Sequence, residues 1–375
     1  MTISIGIIKE SAAGERRVAL DPPTAAKLAQ SGHKILVEAG AGTEAGHPDA
    51  SWGEAEIIAD AKTLAAKCQV LLSVRRPPKD VLAALPEGAV VIGALSPYSD
   101  FDELETAAKA GVSLVSMELV PRITRAQAMD ILSSQATVAG YKAVIIAADI
   151  APRLFPMLTT AAGTLRPAKA VVIGAGVAGL QAIATARRLG AQVEAYDIRA
   201  AAREQVESLG AKMIDTGVDA ESEGGYAREL TDDERAKQAE ALAKHLARAD
   251  IVISTAAIPG RPAPKIISAD MVHNMKPGSV IVDIAAETGG NCELTKAGEV
   301  VNVGGVLIAG PTNLPSKAPL HASEMYAKNV SNLLALMIKD GELVVDTEDE
   351  VIAGCLLSHG GQIVHEKFKS CLNRR

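Results

Sequence analysis

The residues best suited to chemistry stand in one short run, Ala170-Val-Val-Ile-Gly174-Ala175-Gly176-Val177-Ala-Gly179, followed by an alanine-rich stretch that continues to Ala186. An apolar strand, a tight glycine turn and the start of a helix are the parts that bind a pyrophosphate. Gly174 permits the sharp turn, Gly176 leaves no Cβ to block a phosphate, and Gly179 lets the helix pack on the strand. Amides at the helix start, around Ala175 and Val177, point at the anion. The glycine spacing alone is weak, because a chance turn in an α/β core has the same form. Here the context agrees: an apolar strand precedes, a helix follows, and the next apolar run ends in Asp197, eighteen positions after Gly179. A carboxylate at that place accepts hydrogen bonds from both hydroxyls of an adenine ribose and repels a 2′-phosphate, which points to NAD(H) over NADP(H). Arg199, two positions on, is a residue type that accepts a 2′-phosphate and is the one feature favouring NADP(H).

A second polar group lies in Pro121-Arg122-Ile-Thr124-Arg-Ala-Gln127-Ala-Met-Asp130-Ile-Leu-Ser133-Ser134-Gln135. With Thr124 as N-cap, one helix from Thr124 to about Asp149 sets Gln127 and Asp130 on one face, Ser133 or Ser134 a turn further, and Arg122 just before the start. A guanidinium, an amide and a carboxylate converging where two domains join suit a nicotinamide ribose and carboxamide. The same residues read equally as ordinary solvated groups of a first helical turn, and the pattern leaves both open. Cys68, Cys292, Cys355 and Cys371 form no CxxC pair, and the seven histidines form no HxH or HExxH. A reducing compartment is therefore expected, without a disulfide framework or a metal site.

These groups need elements to hold them. Short Val/Ile/Leu runs recur between helical stretches, the pattern of βαβ units. The first half offers Ile3–Ile8, Lys34–Glu38, Gln69–Val74, Ala89–Ile92 and Ser113–Leu119; the second offers Ala170–Ile173, Gln192–Tyr196, Lys212–Ile214, Ile251–Ser254, Val280–Asp283 and Gly305–Ile308. They predict an α/β protein of two Rossmann-like, doubly wound parallel-sheet domains joined by long helices, one from Thr124 and one from about His321 to Ile338. The short, irregular tail beyond is expected to return to the first domain. That makes residues 1–125 with 325–375 a discontinuous N-terminal domain around a dinucleotide-binding domain at 126–324. The polar, glycine-bearing stretch from Asp215 reads as a solvated loop or as a lid.

A length of 375 residues suits two such domains. Aromatic residues at 2% and a net charge of −7 exclude nucleic acid as a partner, since neither stacking platforms nor a basic field exist. The N-terminal MTISIGIIKESAAGERRVAL lacks the apolar stretch of a signal peptide, and no unbroken apolar run approaches the about 20 residues of a membrane span. The chain is expected not to span a bilayer, and any membrane role to come through a partner.

Across nearly its whole length the sequence resembles the soluble NAD(H)-binding component, often called domain I, of proton-translocating nicotinamide nucleotide transhydrogenase. The stretches that carry the likeness are GERRVAL, PRITRAQAMDILSSQATVAGY, FPMLTTAAGT, IGAGVAGLQAIATARRLGA, DIRAAAREQVESLGAK, EGGYARE, STAAIPGRPAP, MKPGSVIVDIAAETGGN and HASEMYAKN; the C-terminal tail matches less. The resemblance implies a homodimer with NADH in a cleft between the two domains of each chain. It implies that hydride passes directly to NADP⁺ held by a separate NADP(H)-binding domain, coupled to proton movement through membrane-embedded subunits. The chain would then be cytoplasmic and peripheral to the inner membrane. By the same resemblance Arg122, Gln127, Asp130 and Ser133 position the dihydronicotinamide as the catalytic group and meet the partner domain. Asp197, Ile198 and Arg199 line the adenosine ribose, Gly225 and Tyr226 belong to a mobile loop that closes on the nucleotide, and Thr255 lies near the dinucleotide unless it is a plain strand cap.

Alanine dehydrogenases share this fold and fingerprint, so their chemistry is the main competitor. Reducing pyruvate with ammonia needs groups that move protons, and that family carries a lysine, a histidine and an aspartate for it. At the matching places this chain has Arg75, Ala94 and Glu287. An arginine stays charged and is a poor proton donor. Arg17 is kept, as an anion clamp or as half of a structural ion pair. Hydride transfer between two nicotinamides protonates no carbonyl and needs none of these groups. A binding module without a reaction is the remaining alternative, opposed only by Gln127, Asp130 and the mobile-loop match.

Overall fold

Runs such as Val70-Leu-Leu-Ser-Val-Arg75 and Val-Val-Ile at 90–92 have no polar face, so as strands they need cover on both sides. The computed structural model describes residues 2–99, 101–218, 230–258 and 260–372. It groups the chain into one unit of Met1–Gln135 with Pro315–Arg375 and a second of Ala136–Leu314.

In the first unit β1 (Ser4–Ile7), β2 (Lys34–Glu38), β3 (Glu56–Ile58), β4 (Val70–Arg75), β5 (Val90–Ala94) and β6 (Ser113–Ser116) are all parallel, in the order β3-β2-β1-β4-β5-β6. Alternate residues serve two cores. Ile5, Ile7, Leu72 and Ile92 meet Tyr326, Val330 and Leu333 of the helix Pro319–Met337, while Leu36, Leu71, Val91 and Leu114 pack with Leu64 and Leu104 on the other face.

The second unit opens with an exposed hairpin, β7 (Leu158–Thr160) and β8 (Gly163–Leu165). Its sheet holds β9 (Lys169–Ile173), β10 (Gln192–Tyr196), β11 (Lys212–Met213), β12 (Ile251–Ser254), β13 (Val280–Asp283), β14 (Val300–Val303) and β15 (Val306–Ala309), ordered β11-β10-β9-β12-β13-β15-β14. Both sheets thus run third, second, first, fourth, fifth about their own first strand, the doubly wound order that opens a crevice beside that strand. The chain then returns to the first unit through β16 (Ile338–Lys339), β17 (Glu342–Leu343), β18 (Leu356–His359) and β19 (Gln362–Ile363).

Two expectations are corrected. The sheets are not wholly parallel: β14 pairs antiparallel to β15, and β18 and β19 extend the first sheet antiparallel beyond β6, where an irregular tail was expected. The long helix does not start at Thr124. A 3₁₀ segment, Thr124–Met129, is followed by a break at Asp130 (ψ 96°) and then by the helix Ile131–Ile150, and Thr124 makes no capping bond. The break has a tertiary cause, because the Ala128 carbonyl accepts from the side-chain amides of Asn329 (2.8 Å) and Asn332 (3.1 Å) and so is withdrawn from a helical ladder. Asp130 is the acid that starts the new helix, its Oδ1 accepting from the Ser133 amide at 3.0 Å.

Among the described residues Ile131–Ile150 is one helix long and apolar enough to cross a membrane by length and composition. Its Ala139, Ala143, Val144 and Ala147 belong instead to the core of the second unit. Gly140 is the reason it packs so closely there: a Cβ would lie 2.1 Å from the Ala178 carbonyl oxygen.

Candidate functional site

The three glycines after β9 do different work. Gly174 has φ +91°, and a Cβ would sit 2.6 Å from Thr255 Oγ1. At Gly179 a Cβ would fall 1.8 Å from the Gly174 carbonyl oxygen, so the helix Val177–Arg188 starts hard against the turn. Both are needed by the fold itself. Gly176 is not: its φ is −75°, any residue can adopt that, and an added Cβ meets nothing within 4 Å. What a side chain there would obstruct is the open space in front of the helix start, where first-turn amides attract an anion. Gly176 and Val177 are exposed, Ala175 is buried, and no side chain caps this helix. The residues present therefore fit the pyrophosphate of a dinucleotide.

Thr255, at the end of β12, braces this turn. Its hydroxyl donates to the carbonyls of Ile173 and Gly174, both at 3.1 Å. Asn291, which sequence reasoning did not single out, is fully buried and holds the following loop. Its amide donates to the carbonyls of Ala256 (2.7 Å) and Pro264 (2.9 Å), and its Oδ1 accepts from Ser254 Oγ and the Ala256 amide. The only signal for it was an asparagine closing the Gly-Gly turn after β13.

Asp197 follows β10 and is 9% exposed. Its Oδ2 accepts from the Ala175 amide (2.7 Å) and Arg199 Nη2 (2.9 Å), and its Oδ1 from the amide and Nε of Arg199, both at 2.9 Å. Burial raises its pKa, but the Arg199 bonds and the Ala175 amide outweigh that and hold it below the usual carboxylate value. Ile198 is half-buried against the core on that face of the sheet. Gly225 and Tyr226 lie outside the described residues.

The second polar group belongs to the first unit. Arg122 and Gln127 are exposed, whereas Asp130 and Ser133 are partly buried and bonded to each other, Ser133 Oγ donating to Asp130 Oδ2 at 2.6 Å. The segment is anchored from behind by Asn329 and Asn332 and by a fork from Arg125 to Asp349 at 2.8 and 2.9 Å. That pairing draws the Asp349 carboxyl down to about 2. The predicted residues thus gather in two sets, the fingerprint, Asp197 and Thr255 in one unit, and Arg122 to Ser133 in the other.

The crevice beside β1 of the first unit is filled by its own side chains. Glu15, 7% exposed, accepts from Arg17 Nε (2.7 Å) and Nη2 (2.6 Å), from Arg75 Nε (3.0 Å) and from Ser316 Oγ. Arg17, also buried, gives Nη1 to Gln135 Oε1 at 2.8 Å. Burial works against the charge on Glu15, yet its bonds to Arg17 hold its carboxyl far below the ordinary value. Glu10 accepts from the amides of Val74 (2.6 Å) and Arg75 (3.0 Å); burial pushes its carboxyl up to about 7 against the pull of those amides. Arg17 is half of a structural ion pair here.

The strand order, the glycine turn and the acid after the second strand define a dinucleotide-binding α/β protein. Its N-terminal region matches the family model described as alanine dehydrogenase/PNT, N-terminal domain, over residues 6–139, and the C-terminal domain model matches residues 143–366. The chain belongs to the alanine dehydrogenase/PNT family. It is 46% identical over 376 residues to an NAD(P) transhydrogenase subunit alpha chain of Rhodospirillum rubrum, covering 97% of this chain and 98% of that one. The crystal structure of transhydrogenase from Sinorhizobium meliloti, 47% identical, superposes with a TM-score of 0.88 over 96% of this chain and all of that one. Alanine dehydrogenase of Bacillus subtilis (strain 168) is more distant, 28% identical over 374 residues and covering 96% and 93% of the two chains. The likeness read from the motifs holds: the chain is of the NAD-binding transhydrogenase alpha-subunit kind.

Proposed function

We propose that the chain holds NADH and presents it to NADP⁺ on a separate NADP(H)-binding domain, hydride passing directly between the two nicotinamides. The observation that carries this reading is the closed crevice of the first unit. The arginine that would clamp a substrate carboxylate is already paired with Glu15 and Gln135. Arg75 is drawn onto the same Glu15, and Ala94 and the exposed Glu287 supply no proton relay. A transhydrogenase needs alignment and no acid or base.

The nicotinamide supplies the hydride when bound. Gly176 and the helix start take the pyrophosphate, Asp197 the adenosine ribose with Ile198 and Arg199 beside it, and Thr255 keeps the turn in shape. Arg122 and Gln127 are exposed side chains suited to the carboxamide and to a partner surface, with Asp130 and Ser133 fixing the segment that carries them. Coupling to proton movement would rest with membrane-embedded partner subunits, which gives a cytoplasmic chain peripheral to the inner membrane. A homodimer is supported by the hairpin β7–β8. All six of its residues are exposed, and with Leu154 and Met157 they leave an apolar surface that a lone two-stranded ribbon does not cover.

The test mixes the chain with the NADP(H)-binding partner and follows reduction of an NADP⁺ analogue. The expected result is NADH-dependent turnover with the partner and none with alanine or pyruvate. Oxidation of alanine by the chain alone would overturn the reading, and NADH binding without turnover beside a competent partner would leave only a binding module.

A further inference from the structure

A carboxylate has four acceptor positions, and four N–H groups of this chain fill those of Asp197. Two are backbone amides, from Ala175 on Oδ2 at 2.7 Å and from Arg199 on Oδ1 at 2.9 Å. The other two are the Arg199 guanidinium, Nε on Oδ1 and Nη2 on Oδ2, each at 2.9 Å, a planar fork matched to the acid. A ribose that uses this acid must place one O–H on each oxygen, and the saturated carboxylate has no room for it. We propose that the Arg199 side chain occupies the ribose seat and is exchanged for the vicinal diol of the adenosine when the nucleotide binds, so that Arg199 sets how strongly NADH is preferred over NADPH. The inference rests on the assignment of Asp197 to the ribose and goes beyond it by naming what the nucleotide displaces.

The exchange keeps the hydrogen-bond number constant. Two N–H donors leave, two O–H donors arrive, and the two amides hold the carboxylate in place throughout. The Arg199 side chain is 26% exposed, so its head can move into water without opening the core. A nucleotide with a 2′-phosphate brings one donor fewer and a negative charge beside the ionised acid. The released guanidinium offsets that charge. Arg199 therefore narrows the gap between the two nucleotides from both sides, by competing with the diol and by compensating the phosphate.

The test uses the whole chain and displacement of NADH by adenosine and by 2′-deoxyadenosine, which carry no phosphate and so are indifferent to charge steering. Arg199→Ala should tighten adenosine about tenfold, the scale of a charged hydrogen bond, with a smaller gain for 2′-deoxyadenosine. It should also raise the NADH-to-NADPH affinity ratio by about tenfold or more, for the same charge-pairing reason. Arg199→Lys, which keeps the charge and loses the fork, should give an intermediate gain for adenosine with the fold intact by circular dichroism. Once Asp197→Asn is present, adding Arg199→Ala should change adenosine binding no further. Adenosine binding that weakens or stays level in Arg199→Ala, while Asp197→Asn still weakens NADH, overturns the exchange and leaves the ribose assignment standing. An Asp197→Asn protein with native affinity for both NADH and adenosine removes the assignment itself.

Discussion

The two sheets have the same strand order and, at the same place, opposite fittings. In the second unit β9 ends at Ile173 and three residues later the helix begins, leaving amides and open space at Gly176. In the first unit β1 ends at Ile7 and the next helix begins only at Pro22, so the long link folds back into the crevice. Both second strands end near an acid that accepts the amide two positions beyond the first strand: Asp197 from Ala175, and Glu38 from Lys9 at 2.7 Å. One position later the units part. Gly176 stands open, while Glu10 carries its own carboxylate to the amides at the end of β4. An anion seat on this topology is therefore kept or closed by a few residues, and a self-supplied carboxylate is enough to close it.

The contrast is broken most severely at the glycines. Gly176→Val should lower NADH affinity by at least about a hundredfold with circular dichroism and melting temperature unchanged, because its Cβ meets only the ligand's space. Gly179→Val should lose the fold of that unit, since its Cβ collides with backbone. Equal destabilisation by both would mean that Gly176 is structural after all. Next in size, Glu15→Gln should cost about 3 kcal/mol in urea unfolding by leaving Arg17 buried beside a neutral partner, with NADH affinity unchanged. A loss of NADH affinity would show that the closed crevice takes part in binding.

Gln127→Asn should slow hydride transfer to the partner about tenfold while NADH affinity falls much less, because an exposed amide that aligns a ring acts on the transition state. Equal losses would make it a plain binding residue. The smallest effect is a pH slope. Glu10 is held near 7 in the folded chain and near 4.5 once unfolded, so over that interval the folded state keeps a proton that the unfolded state has lost. Stability should fall as pH rises from about 4.5 to 7 and stay reduced above. Glu10→Gln should remove that share of the slope, gaining on the native protein in melting temperature at pH 8 and not at pH 5.

The fingerprint was legible because it is local: strand, turn, helix and acid lie within 28 residues, Ala170 to Asp197, and each is dictated by its own neighbours. The six strands expected in the second half all form, since residues covered on both faces read as unbroken apolar runs. The break at Asp130 was not legible. Its cause is a pair of asparagines some two hundred positions away that hold one carbonyl, although the capping acid itself was visible as the Asp before Ile-Leu-Ser. The antiparallel edges escaped notice because β14, β18 and β19 have four residues or fewer, with partners that no local pattern names. Arg17 read as a clamp or an ion pair, and only Glu15, brought round beneath it, decides between them.

The grip of Thr255 on the Ile173 and Gly174 carbonyls, backed by Asn291, also bears on speed. A cradle already frozen by the central strands has little disorder left to surrender, so capture of a dinucleotide there is governed by diffusion and orientation, and differences among nucleotides fall on how slowly they leave.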